Sequence, residues 1–217
     1  MTESRQDGLS PQVDKGHYFS PEYVNPRRFA SYAYQISEIL ALEPRSVLEV
    51  GIGNGLVTYM LRQAGLEVTT LDFDAALAPD IVASVTEMPV PDGAYDVVAC
   101  FEVLEHLPFD MLPQALAEIH RAARTWAVLS LPHSGHAASA EVRLPGLGVR
   151  RLRLACGKLI PRPHRFDGEH YWQIGYKGYP LARVLTAMRE AGFEVVKTYR
   201  CWEVPWHRFF VLKKDGH

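Results

Sequence analysis

Three glycines at alternate positions, Gly51, Gly53 and Gly55, stand between an apolar run and a helical one in LEVGIGNGLVTYML, residues 48–61. Bare backbone at such a junction lets a ligand lie against main-chain amides, because no Cβ intrudes. A strand, a glycine turn and a helix in that order build a pocket at the carboxyl edge of a parallel sheet. The glycines alone equally suit a plain tight turn, so the neighbours decide. A diphosphate site carries GxGxxG, its third glycine packing helix on strand. Here the order is GxGxG, and Leu56 and Val57 occupy the phosphate-facing turn. Glu49, inside the strand, places negative charge near the pocket, which disfavours a diphosphate and suits a cationic ligand. Asp72 closes the next apolar run about 20 residues on, where an acid can hold both hydroxyls of a ribose.

Proton transfer needs a base with a pKa near neutrality. His106, in EVLEHLP, is the first candidate because it follows a strand on the pocket side; His133 and His136, just past the next strand, come second. Each of the three also reads as a structural histidine. Glu102, Glu105 and His106 form ExxEH, which presents all three on one face if the segment is helical. With His133 or His136 such a set could hold a divalent metal. No metal is expected.

The surrounding elements place these residues. Asn25-Pro26 reads as an N-cap and first helical position, opening a helix through RRFASYAYQISEIL. RSVLEV is a buried strand, LVTYMLRQAG a helix closed by Gly65, and EVTTLD a strand; AYDVVACF, the helix MLPQALAEIHRAAR and the strand TWAVLSLP follow. Strands separated by helices imply a parallel sheet covered on both faces. One joint is short: only Phe73 to Asp80 precede the third strand, DIVASV, whereas a parallel crossover takes a dozen or more residues. A helix reduced to a turn, or an irregular strand, is expected there. The helix LARVLTAMREAG and two strands, FEVVKTYRCW and WHRFFVLKK, end the chain. The short connection at Val204-Pro205 makes that last pair antiparallel.

Between Pro132 and Gly178 the rhythm stops. Residues 133–178 hold eight Lys or Arg against three acids, and a long irregular insertion of this kind is usually a lid or binding loop. VRLPGLGVRRLRLACGKLI interleaves arginines with apolar residues, as an amphipathic lid helix gripping an anion would; a solvated basic surface fits as well. Arg165, His170, Tyr171 and Trp172 lie in an aromatic and histidine-rich stretch suited to a substrate wall.

The 217 residues are read as one domain, with residues 1–24 as an N-terminal loop or cap and 133–178 as the insertion. A net charge of −2 exerts no general pull on nucleic acid or anionic membrane. Three widely spaced cysteines, Cys100, Cys156 and Cys201, without a CxxC pair, fit a reducing compartment and neither a disulfide framework nor a zinc–cysteine site. No signal peptide or membrane-spanning run is apparent, so a cytoplasmic location is expected.

Glu49, GxGxG and Asp72 together, with VPDGAYDVVACFEVLEHLP and the terminal hairpin, resemble class I S-adenosylmethionine-dependent methyltransferases. The likeness covers residues 45–132 by motif and 180–214 by architecture. It implies a Rossmann-like α/β fold, a seven-stranded mostly parallel sheet with an antiparallel last strand and helices on both faces. It also implies S-adenosylmethionine as cofactor: Gly51, Gly53 and Gly55 against its methionine part, Glu49 acting through the loop amides or the cofactor amine, Asp72 on the ribose, and Phe73 at the adenine. Family members often carry an acid after the third strand. Ser84 and Val85 fall there, leaving that work to backbone amides or Glu87. Phe101 and Glu102 would form the cofactor–substrate border, and HYFSPEYVNP would fold over the cofactor with Tyr18 or Tyr23. Similar ExxEH segments occur in ubiquinone-pathway O-methyltransferases and small-RNA 2′-O-methyltransferases, some of which use a metal. The expected activity is methyl transfer to an oxygen or nitrogen of a small metabolite, anionic or neutral, without a nucleic-acid partner; a homodimer is compatible. An RNA methyltransferase, a cofactor-binding module without transfer, and a nicotinamide oxidoreductase are the alternatives.

Overall fold

The computed structural model describes residues 13–144, 148–156 and 161–216; the predicted N-terminal cap and insertion fall partly outside these. Among the described residues, nine strands and four α-helices follow in the order α1 (Pro26–Leu40), β1 (Ser46–Val50), α2 (Leu56–Gln63), β2 (Glu67–Asp72), β3 (Ile81–Val82), β4 (Tyr95–Phe101), α3 (Leu112–Ala122), β5 (Ala123–Pro132), β6 (His136–Leu144), β7 (Gly148–Cys156), α4 (Leu181–Glu190), β8 (Phe193–Arg200) and β9 (His207–Lys214). Seven strands form one sheet in the order β3-β2-β1-β4-β5-β9-β8. β9 runs antiparallel to both neighbours, and β3 through β5 pair in parallel.

Local chemistry explains the boundaries. The Asn25 side chain accepts from the amides of Arg27 and Arg28, capping α1 ahead of Pro26. α2 and α4 end before Gly65 and Gly192, both at positive φ, as helix C-termini favour. The short joint holds a 3-10 turn, Ala75–Leu77, in place of a helix, and β3 is a two-residue parallel edge strand. Asp80 accepts from Thr70 and Arg62, tying that turn back to β2 and α2.

Side-chain alternation splits β1 between two cores. Leu48 and Val50 join Leu112, Leu116, Ile119, Val184 and Met188 beneath α3 and α4. Val47 joins Ile39, Val57 and Leu61 beneath α1 and α2. Glu49 shares the face of Val47, a placement that decides its role below.

The insertion differs from expectation. Its basic half forms an antiparallel β6–β7 hairpin instead of an amphipathic helix, with Val142 opposite Arg150 and Glu141 opposite Arg151. The arginine–leucine alternation in RRLRL has the period of a strand, and Gly148 at φ +69 opens the return strand. No helix among the described residues is long and apolar enough to cross a membrane.

Candidate active site

The carboxyl ends of β1, β2, β3 and β4 meet in a cleft of about 960 Å³, open mouth included, a size usual for small-molecule sites. Gly51, Gly53, Asp72, Phe73, Ser84, Val85, Phe101 and Tyr18, all candidates from the sequence, line it together with Val50 and Leu71. Glu87 is exposed and lies outside this lining.

The glycine loop is shaped by its own backbone. Gly51 has φ +84, and a Cβ there would stand 2.3 Å from Val103 Cγ2. Gly53 has φ +53, with the Tyr18 ring 3.7 Å from where its Cβ would be. L-residues resist that region, so glycine is favoured at Gly53 and, with the Val103 clash added, required at Gly51. Gly55 caps α2 in a left-handed conformation and does not line the cleft.

Glu49 departs from its expected place. It is 3% exposed, accepts from the Thr58 hydroxyl of α2, and is not part of the cleft lining. Period-two alternation turns it under α2, away from the ligand edge. Burial, only partly offset by Thr58 and Arg62, pushes its carboxyl up to about 7. Asp72 performs the loop-binding task instead: one oxygen accepts from Ile52 N at 3.0 Å and the other from Asp74 N at 2.9 Å. A carboxylate oxygen accepts two hydrogen bonds, so each retains capacity for a hydroxyl in the cleft. Asp72 is 7% exposed and its pKa is raised, chiefly by burial.

Beyond the cleft lies a second chamber, lined by residues that include Tyr23, Arg28, His133, Glu169, Gln173 and His207. Tyr18, Tyr23, Glu102 and His106 line both spaces. The N-terminal turn Lys15–Phe19 covers them, its His17 and Tyr18 rings packed edge-on with Tyr23. Glu102 sits at φ +54, an unusual backbone for a non-glycine residue; such strain is found preferentially at functional sites. Its carboxylate stands 3.5 Å from His207 Nε2, while His207 Nδ1 contacts Ser31 Oγ at 2.9 Å.

The histidines separate by hydrogen bonding. His106 Nδ1 lies 3.0 Å from the Glu169 carbonyl; a carbonyl only accepts, so Nδ1 carries the proton and Nε2 the lone pair. Burial, then the neighbouring His170, lowers the His106 pKa. His133 does the reverse, since its Nδ1 accepts from Arg208 Nε at 2.9 Å. Burial and the guanidinium charges of Arg208 and Arg200 hold it down to about 3. His133 is therefore a poor base. His136 opens β6, and its side chain lies outside the described residues.

The ExxEH segment is a three-residue 3-10 turn, Leu104–His106, so helical spacing does not gather Glu102 with the other two. Instead Glu105, His106 and His170 bring ligand atoms within 4.8 Å of one another. Ligands of a tetrahedral ion held at about 2.1 Å stand roughly 3.4 Å apart, a separation inside that bound, so the trio could hold a divalent cation. Glu105 is fully buried, neither oxygen has a hydrogen-bond partner, and burial followed by the charge of Glu102 raises its pKa far above the carboxylate range. A neutral acid is the stable form there.

Of the four expected substrate residues, His170 alone lines the chamber. Arg165 is exposed. Trp172 is fully buried in the core, its Nε1 donating to Leu107 O at 3.1 Å. Tyr171 packs on Phe166 and donates its amide to Glu105 O. Sequence reasoning passed over Arg28, Gln173 and His207. Only the strand alternation of WHRFF, which turns His207 inward with Phe209, hinted at the last.

Residues 48–130 match a family model described as a methyltransferase domain. The ubiquinone biosynthesis O-methyltransferase of Sodalis glossinidius is 30% identical over 109 residues, 43% of each chain. A probable S-adenosylmethionine-dependent methyltransferase of Mycolicibacterium smegmatis is 34% identical over 73 residues, 29% of this chain and 28% of that one. The chain spans less than half the length of the curated relatives it matches. Among solved structures, magnesium protoporphyrin IX methyltransferase of Synechocystis with bound SAM superimposes with a TM-score of 0.65 at 16% identity, covering 99% and 100% of the two chains. The 1,6-didemethyltoxoflavin N1-methyltransferase of Burkholderia thailandensis gives 0.61 at 17% identity, covering 95% and 93%.

Proposed function

We propose that this chain is a class I S-adenosylmethionine-dependent methyltransferase, a reading supported by its methyltransferase-domain match and its fold, and that it moves a methyl group from that cofactor to an oxygen or nitrogen of a small molecule. The shared wall of the two cavities carries the reading: whatever fills the cleft meets whatever fills the chamber at Tyr18, Tyr23, Glu102 and His106. The cleft suits the cofactor. Asp72 retains acceptor capacity for the ribose hydroxyls, the amides around Gly51 and Gly53 border the amino-acid end, and Phe73, Val85 and Leu107 offer an apolar slot for the base. When bound, S-adenosylmethionine supplies a methyl on sulfonium sulfur, which leaves as a neutral thioether as the acceptor's lone pair takes the carbon.

The protein's share of this reaction is positioning and proton removal. Holding the acceptor in line within a closed chamber can supply several kcal/mol. His106 fits the base: it faces both cavities, and its Nδ1–H is tied to the Glu169 carbonyl. Burial and His170 keep the ring neutral at physiological pH, so the lone pair stays on Nε2. Relatives named as O- and N-methyltransferases fit either acceptor atom.

Calorimetry with S-adenosylmethionine, S-adenosylhomocysteine and NAD tests the cofactor. Binding of NAD without the other two would sink the proposal. A methyl-release assay against a metabolite panel then finds the acceptor. In that assay His106→Gln is expected to lower kcat by about 10²–10⁴-fold while leaving S-adenosylhomocysteine affinity unchanged; equal kcat would remove His106 from the base role.

A further inference from the structure

One wall of the acceptor chamber has no part in proton removal. His133 follows β5 and lines that wall, and its Nδ1 receives Arg208 Nε at 2.9 Å. A guanidinium has no acceptor atom and keeps its proton at any ordinary pH, so it can only donate. The Nδ1 lone pair is thereby occupied. The neutral ring must carry its proton on Nε2, at the ring edge opposite Arg208.

Arg208 is held in turn by Thr198 Oγ1 at 3.0 Å. Among the described residues no carboxylate pairs with it; the influences on its guanidinium are burial, which dominates, and the like charge of Arg200, and together they bring it down to about 10. Arg200 donates to the backbone carbonyls of Pro205 and Gly135 at the same corner. Arg208 and a donor imidazole thus share a half-buried corner, where the charge on Arg208 is costly unless an anion completes it. Of the chamber's carboxylates, Glu102 stands 3.5 Å from His207 Nε2, and the charges of Glu169 and Glu102 act on His106.

We propose that the Nε2–H of His133, fixed by Arg208 and backed by the positive potential of Arg208 and Arg200, binds an anionic oxygen of the methyl acceptor, a carboxylate or an ionised hydroxyl. His133 is then a substrate-binding donor, the counterpart of His106, which presents a lone pair. The inference takes from the methyl-transfer reading only the identity of the chamber's occupant.

The test needs neither cofactor nor turnover. In ¹⁵N spectra of the imidazole rings of the full chain, His133 is expected to show an unprotonated Nδ1 and a protonated Nε2 from pH 5 to 8, without titrating; Arg208→Gln should make it titrate. Benzoate should perturb the His133 Nε2–H signal and bind at least about tenfold more tightly than its neutral isostere benzamide, as one charge-assisted hydrogen bond allows. Phenol, titrated across its ionisation, separates the hydroxylate from the carboxylate. His133→Ala should abolish the preference, and His133→Gln, which restores an N–H donor, should recover part of it, without depending on how the Arg208 variant folds. A protonated Nδ1, equal binding of benzoate and benzamide, or an undiminished preference in His133→Ala would each overturn the proposal. If benzoate behaves as expected while S-adenosylhomocysteine fails to bind, the methyl-transfer reading falls and the anion site stands.

Discussion

Replacing Asp72 tests the proposal that the cleft holds the cofactor. Its two oxygens each hold one loop amide, Ile52 at 3.0 Å and Asp74 at 2.9 Å, and each retains one further acceptor position. A ribose would occupy both. Hydrogen bonds to a charged group are worth about 1.5–3 kcal/mol each. Two of them amount to about 3–6 kcal/mol, or roughly 10²–10⁴-fold in Kd. Asp72→Asn keeps the shape but turns an NH₂ toward one of the two amides, so it also loosens the loop. Asp72→Ala leaves both amides unpaired at a site only 7% exposed, with a stability cost of about 1–3 kcal/mol for each. Calorimetry with S-adenosylhomocysteine gives the affinity, and thermal melting without ligand shows whether the variant is folded. A folded Asp72→Asn that binds within about threefold of the parent, below ~0.7 kcal/mol, would refute the ribose role and the reading of the cleft built on it.

Gly51→Ala should destabilise the fold by about 2–5 kcal/mol, combining left-handed strain with a Cβ placed 2.3 Å from Val103 Cγ2. Adding Val103→Ala should recover the steric part only, and a melting temperature unchanged in the single variant would contradict the geometry. Trp172→Ala should cost about 3–5 kcal/mol because the ring is fully buried; a well-folded variant with a raised substrate KM would restore the residue to the substrate wall. Glu49 carries a pH signature. Its folded pKa near 7 lies above the unfolded value of about 4.3, so its stability contribution is complete below the unfolded value and declines as pH rises to 7. The decline amounts to about 3–4 kcal/mol and should be absent in Glu49→Gln. Urea unfolding from pH 4 to 8 measures it, and parallel curves for the two proteins would refute it.

Much of the scaffold was legible because each element carries its own local signal. Asn25-Pro26 caps α1 as read, Gly65 and Gly192 follow α2 and α4, and the terminal pair is antiparallel around β9. The β6–β7 hairpin carries a local signal too, since RRLRL alternates with the period of a strand; interleaved arginine and apolar residues suit an amphipathic helix as well as a strand. Glu49 was misplaced for a related reason. Its position ahead of the glycines drew attention to sequence proximity, whereas strand alternation sends it beneath α2 to Thr58. Trp172 shows the limit of composition: an aromatic-rich segment can wall a substrate or fill a core, and only packing against Leu107 and Phe109 separates the two.

By itself the sequence determined the alternating α/β order, the glycine junction and the acid at the end of β2, because hydrophobic period, turn chemistry and residue spacing are local properties. Tertiary structure alone decided what each histidine can do. His106 and His133 are the same residue type at the ends of neighbouring strands. One meets a backbone carbonyl and must carry its proton on Nδ1, while the other meets a guanidinium and must carry it on Nε2. Those partners, Glu169 and Arg208, stand 63 and 75 residues away along the chain. A ring's tautomer is set by the atom that faces it in space.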